Sequence, residues 1–352
     1  MADPLHTLAT LLMQSSPPSV EIVPGGVEQW FGETVAGATQ PSTSFPFLYM
    51  DGHLGVPQKV LYQLYVSGLE LLNLKDKQKV TTMASIPSQM DASCVILLAN
   101  PAHQTVLNVR KRLIQTGALS AKTELGFSAT LLSSSRQCAK ESILWAHRRW
   151  IFGRLYPHTL SQADSRPLPP TASSEMLEIP PDAIAAEFEL ISKCCEAYPR
   201  NYHAWAHHHF VTDSIFASLR ASNTPDSHYL RLLAGEIGNL QRWVETHVSD
   251  HSAVHQFCSI VSRLQLLVSP RYDPTLAKLV DPAVLFEHAI SLTTSYPSHE
   301  SLWMYIRAMI ILSPVGVSTL ASSAISLTSE LDSPLRDRFI LWTKRSGTTT
   351  LT

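Results

Sequence analysis

Residues 198–216 read YPRNYHAWAHHHFVTDSIF. The residue before a proline is pushed out of the α region, so Tyr198-Pro199 ends one helix, and a polar residue then caps the next. Trp205 stands about one turn into that second helix. The stretch is therefore a corner between two helices, and it recurs. NPAHQTVLNVRKRLI (100–114), KESILWAHRRWIFGRL (140–155), SDHSAVHQFCSIVSRL (249–264) and YPSHESLWMYIRAMIIL (296–312) align with it on the anchors Leu107, Trp145, Trp205, Val254 and Trp303. Successive anchors lie 38, 60, 49 and 49 residues apart, a spacing that belongs to helical-repeat proteins. The widest gap holds a Pro/Ser-rich passage, PHTLSQADSRPLPPTASSEMLEIPP (157–181), which reads as a surface loop inserted between repeats.

A helical hairpin cannot bury its apolar face alone, so the units must stack. The expected fold is all-α: an α-α superhelix, or solenoid, of stacked helical hairpins with an extended inner surface. A tryptophan at the anchor fills the wedge between hairpins, and its indole N–H needs an acceptor when buried. Trp145, His147, Arg148, Trp205, His207 and Trp303 are assigned to this packing, with His147, Arg148, His207 and Arg110 reaching polar groups of the next unit. Helices are also expected after Pro57, where Val60, Leu61, Leu64, Leu71 and Leu72 recur at helical spacing, and over 182–197, behind Pro180 and Pro181. Period-2 alternation is rare. Residues 1–44 read as an irregular N-terminal segment, 45–345 as a single helical-repeat domain carrying the insert at 157–181, and 346–352 as a tail.

Composition narrows the function. The chain has 27 Lys+Arg against 29 Asp+Glu and a formal net charge of −2, with no basic stripe for a phosphate backbone, so nucleic acid is not an expected partner. Only 16% of residues are charged, where about a quarter is usual, which points to a surface partly covered by a partner. Five cysteines without CxxC spacing suggest neither a disulfide framework nor a cysteine zinc site. Adjacent Cys194 and Cys195 read as small apolar residues of a buried helix. The N-terminus lacks a basic lead-in and no apolar run approaches the roughly 20 residues of a membrane span, so a cytoplasmic location without transmembrane segment is expected.

WAHRRW (145–150) and PRNYHAWAHHHF (199–210) resemble the W-x-H-R-x-W and N-Y-x-x-W-x-H-R repeats of protein farnesyl- and geranylgeranyltransferase alpha subunits. Together with YPSHESLW and FPFLYMDGHLGVPQKVLYQLYVSGLELL (45–72), they resemble the divergent branch of protein prenyltransferase alpha subunit repeat-containing proteins, over about residues 45–312 and five units. The resemblance implies the alpha subunit of a heterodimer that transfers a farnesyl or geranylgeranyl group from its diphosphate to a protein cysteine. The zinc is then expected in the partner beta subunit and no cofactor in this chain. In that family a lysine five residues before one anchor, and a tyrosine and histidine three and two residues before the next, approach the diphosphate. Here those positions are Lys140, Tyr202 and His203. Taken without the family, all three are ordinary helix-start residues, and a non-catalytic scaffold that binds protein partners remains a second reading. Departures from the pattern are Leu107 and Val254 for Trp, His208 for Arg, Phe257 where Arg is expected, and Arg307 one residue late. His207-His208-His209 does not read as a metal site, because consecutive helix residues point about 100° apart.

Overall fold

The structure, a computed structural model, describes residues 3–15, 17–31, 44–72, 86–157, 177–221, 227–267, 274–313 and 317–348. It shows the all-α helical repeat that the anchor spacing predicts. The chain divides into two compact units, residues 1–180 with 189–207, and 181–188 with 208–352, where one domain over 45–345 was the expectation.

The first unit contains α1 (Pro4–Met13), β1 (Val20–Val23), α2 (Val27–Phe31), β2 (Leu48–Met50), β3 (His53–Pro57), α3 (Gln58–Leu72), α4 (Ile86–Ala99), α5 (Gln104–Gln115), α6 (Ala121–Ser134), α7 (Arg136–Ala139) and α8 (Ser142–Leu155). Residues 1–44, expected to be irregular, are partly regular. Asp3 accepts from the Leu5 N–H at 3.0 Å and Pro4 opens α1, whose Leu5, Leu8 and Leu12 repeat at helical spacing and are buried. This stripe packs α1 on α4 and α6, so burial orders a segment with few sequence signals. The strands form a small sheet in the order β1-β3-β2, with β1 parallel and β2 antiparallel to β3. Asp51 and Gly52 join Met50 to His53 with φ of 52° and 84°, the backbone of a tight primed hairpin turn.

Pairs of helices then repeat: α4 with α5, and α6 with α8 after the short turn α7. The α5 helix stops where Gly117 takes a φ of 76° and its N–H bonds the Ile114 carbonyl at 3.1 Å. Ser120 caps α6 through the Lys122 N–H, and Ser135 caps α7 through the Cys138 N–H. The insert expected at 157–181 lies mostly at residues outside the described ones. Its ends meet in a bridge between Pro157 and Leu177, and the Glu178 N–H bonds the Tyr156 carbonyl at 3.0 Å.

Two helices run through both units: α9 (Pro181–Ala197) and α10 (Tyr202–Ala221). Pro181 starts α9, and Tyr198, with φ −135° and ψ 95°, ends it before Pro199 as the corner reading requires. Cys194 and Cys195 are both buried thiols, and the Cys194 thiol lies against the Leu132 carbonyl of α6. The second unit continues with α11 (Ser227–Thr246), α12 (His251–Leu267), α13 (Pro274–Leu279), α14 (Pro282–Ser295), α15 (Glu300–Leu312), α16 (Val317–Leu327) and α17 (Pro334–Thr348). Here α11 pairs with α12 and α14 with α15, and α12 packs on α15. Beyond residue 312 a further hairpin, α16 with α17, packs on α15. The helix α17 reaches Thr348, into the segment expected as a tail.

Candidate functional site

All five anchors are buried: Leu107 in α5, Trp145 in α8, Trp205 in α10, Val254 in α12 and Trp303 in α15. The indole N–H of Trp145 donates to the Ala139 carbonyl at 2.8 Å, and that of Trp303 to the Pro297 carbonyl at 2.9 Å. Both acceptors stand six residues before the anchor. The same carbonyl also receives a side chain from the start of a following helix. Asn201 Nδ2 donates to Ala139 O at 2.7 Å, Ser301 Oγ to Val248 O, and Ser333 Oγ to Pro297 O at 3.2 Å. Val248 is again six residues before its anchor, Val254. A carbonyl oxygen has two lone pairs, so one corner can hold both its own tryptophan and its neighbour.

The sequence-derived site residues sit on two such corners of the first unit. Lys140 caps the end of α7, is exposed, and immediately follows Ala139. Tyr202 and His203 immediately follow Asn201 and open α10. The Asn201–Ala139 bond therefore joins the two backbone corners that carry Lys140 and the Tyr202–His203 pair. Tyr202 is 70% exposed, and its ring meets the half-buried His203 ring edge-on at 5.5 Å. Asn201 Oδ1 accepts from the Ala204 N–H at 3.2 Å, so one buried amide both caps α10 and ties it to the preceding corner.

Behind the corners lies a polar interior that sequence reading located only in part. Three residues past each anchor stand Arg110, Arg148, His208, Phe257 and Ile306, all buried. Arg110 clasps Glu124 of α6, with Nε 2.9 and 3.0 Å from the two carboxylate oxygens and Nη2 at 2.5 Å, and donates to Ser93 Oγ at 2.7 Å. His147 Nε2 meets the other side of the same carboxylate at 2.7 Å. Burial alone would raise the Glu124 carboxyl, but the Arg110 charge and the His147 and Arg110 hydrogen bonds outweigh it and hold it at about 2. Burial likewise pushes the neighbouring Cys94 thiol up to about 11, so it stays neutral beside the pair. Arg148 repeats the arrangement one unit on, donating to Ser128 Oγ at 2.6 Å and to the Leu125 carbonyl at 2.8 Å. These two partners belong to α6 of its own hairpin. In the second unit His208 pairs with Glu236 at 2.8 Å, and then the position turns apolar, with the Phe257 ring edge-on to Tyr305 at 5.4 Å.

Glu124 was not singled out from the sequence. The available signal was a lone acid in the apolar helix AKTELGFSATLLSS, facing an arginine in the helix before it.

The three consecutive histidines diverge. His207 packs against Trp145 at 5.1 Å and Phe152 at 5.9 Å, His208 stacks on Phe188 at 5.0 Å, and His209 lies 3.3 Å from Asp213. Among the described residues no group of three or more His, Cys, Asp or Glu is placed to hold a metal ion. None of the described helices is long and apolar enough to cross a membrane.

A sequence model described as "Protein prenyltransferase alpha subunit repeat" matches residues 184–215, the α9–α10 hairpin. Protein prenyltransferase alpha subunit repeat-containing protein 1 of Danio rerio is 28% identical over 291 residues, 76% of this chain and 64% of that protein. The Homo sapiens protein of the same name is 26% identical over 301 residues, covering 76% and 69% of the two chains. Repeat-containing protein 1-A of Xenopus laevis is 29% identical over 250 residues, 62% and 53% respectively. Against the first and third of these, the match spans less than two thirds of the relative's length. Through its repeat and these relatives, the chain is similar to the protein prenyltransferase alpha subunit repeat-containing proteins.

Proposed function

We propose that this chain acts as the alpha-type subunit of a heterodimeric protein prenyltransferase, which moves a farnesyl or geranylgeranyl group from its diphosphate to a protein cysteine. The observation that carries the reading is the Ala139–Asn201 bond, which joins the corners bearing the exposed Lys140 and the Tyr202–His203 pair. In the reaction the allylic carbon–oxygen bond breaks while a carbon–sulfur bond forms. The thiol proton is lost and diphosphate departs with the electron pair of the broken bond. Negative charge grows on the leaving oxygen, and donors fixed beforehand lower the barrier most. Lys140 supplies a cation, and Tyr202 and His203 supply O–H and N–H donors.

Zinc would supply the activation of the acceptor thiol. The described residues of this chain do not fit a zinc site, so in this reading that centre belongs to the beta subunit.

The test is co-expression with prenyltransferase beta subunits, reading soluble complex and isoprenoid transfer to a cysteine-bearing acceptor. A stoichiometric complex that transfers prenyl groups is expected, and pairing with no beta subunit overturns the reading. In an active complex Lys140→Ala should lower kcat by about 100-fold without dissolving the complex. Unchanged transfer removes Lys140 from the mechanism. A stable complex without transfer would favour the scaffold reading, which Leu107 and Val254 at two anchors motivate.

A further inference from the structure

Five residues before each anchor the repeat places Ala102, Lys140, Arg200, Ser249 and Ser298. Two of these are cations, and they stand on the pair of first-unit corners that the Asn201–Ala139 bond joins. Arg200 immediately precedes Asn201, and Lys140 immediately follows Ala139. Covalent lengths along Asn201 added to the 2.7 Å bond hold the Lys140 and Arg200 Cα atoms to at most about 13 Å apart. An extended arginine reaches about 7 Å from its Cα and a lysine about 6 Å, so the two charged heads can meet on one small anion. Both residues are exposed, and among the described residues neither forms an ion pair. Residues 199–203 contain no acid, and the half-buried Glu141 beside Lys140 stands at the start of α8.

The backbone at Arg200 is a second, independent observation. Its φ is 59°, and Asp51 of the β2–β3 turn is the other non-glycine residue at positive φ among the described ones. A left-handed backbone crowds the Cβ of an L residue, so sterics alone would favour glycine there. The repeat does not itself impose this conformation, because Lys140 at the equivalent position has a φ of −88°. An arginine in a place suited to glycine points to a use for its side chain.

We propose that Arg200 is a second diphosphate-binding cation, which grips the phosphate groups of the isoprenoid donor together with Lys140. The identity of the anion rests on the prenyltransferase reading. A diphosphate carries more than one negative charge and gains more as it departs, so a single lysine leaves part of that charge unmet. A guanidinium adds a planar fork that can take two phosphate oxygens at once, which an ammonium cannot. Lys140 and Arg200 thus close on the anion from two successive corners, with Tyr202 and His203 on the second of them.

The test titrates the full chain with inorganic diphosphate in a calorimeter at constant ionic strength. Arg200→Ala and Lys140→Ala should each weaken binding about tenfold. Arg200→Lys should recover part of the loss, since it keeps the charge without the fork. Arg200→Gly should bind as weakly as the alanine variant with a urea midpoint no lower than the parent's, because glycine accepts the left-handed backbone. A lowered midpoint in Arg200→Gly would make the arginine a structural residue and overturn the proposal. So would absence of binding by the parent chain, unchanged affinity in Arg200→Ala, or inorganic phosphate binding as tightly as diphosphate. The two readings fail separately. A chain that grips diphosphate through both cations but pairs with no beta subunit keeps this site and loses the transferase. A complex that transfers prenyl groups with the same KM for the isoprenoid diphosphate in Arg200→Ala keeps the transferase and loses this role for Arg200.

Discussion

Glu124 carries a strong electrostatic statement. Its carboxylate is buried between Arg110 and His147 and is held at about 2, against an ordinary 4.5. A carboxyl depressed in the native state stabilises it fully above 4.5, and that contribution disappears as pH falls through the window from 4.5 to about 2. Linkage over such a window amounts to on the order of 3 kcal/mol. Glu124→Gln leaves Arg110 buried without its counter-charge, and should cost about 3–5 kcal/mol in urea unfolding at pH 7. The gap between wild type and variant should close as pH is lowered toward 2. A constant gap across that range would show that the Arg110–Glu124 charge pair contributes nothing.

The α9–α10 corner shows what an element owes to one side chain. Asn201 caps α10 and holds the Ala139 carbonyl, so Asn201→Ala should cost about 2–3 kcal/mol, read as a lower urea midpoint. Asn201→Ser keeps a short donor and acceptor and should recover about half of that. This corner was legible in the sequence because proline, cap and tryptophan each leave a local mark, and Tyr198 and Trp205 stand where those marks put them. The hairpin of α16 and α17 has a capping Ser333 and Pro334, but its Trp342 stands eight residues beyond the proline rather than one turn in, so it does not align with the repeat. Its buried Phe339 meets Trp303 at a tilt with ring centres 5.5 Å apart, a contact made in space that no spacing announces. The small sheet escaped notice because β2 and β3 span only Leu48–Met50 and His53–Pro57, too short for alternation to register. Lys140, Tyr202 and His203 were nameable only through a family motif, since an exposed lysine and tyrosine at helix ends look the same whether they meet solvent or a substrate.

At the scale of the whole molecule, the hairpins must be covered at their ends as well as between them. Ending the chain after Ser313 would bare Trp303 and leave Pro297 without Ser333. Such a truncation should make the protein aggregate in size-exclusion chromatography, and Phe339→Ala in the full chain should cost about 3–5 kcal/mol. A truncated chain as soluble and as heat-resistant as the full one would mean that α16 and α17 are dispensable to the fold. The corner carbonyls have a consequence for how far the sequence can drift. Ala139, Val248 and Pro297 contribute a main-chain oxygen, which every residue type possesses, so mutation cannot delete the receiving half of the tie. Only the giving half is exposed to change, and it is an amide at one corner and a hydroxyl at the two others. The architecture is thus mutationally robust at the joints, and its variation is pushed into the anchors and the polar interior, where Trp can become Val and Arg can become Ile without moving the next hairpin off its mark.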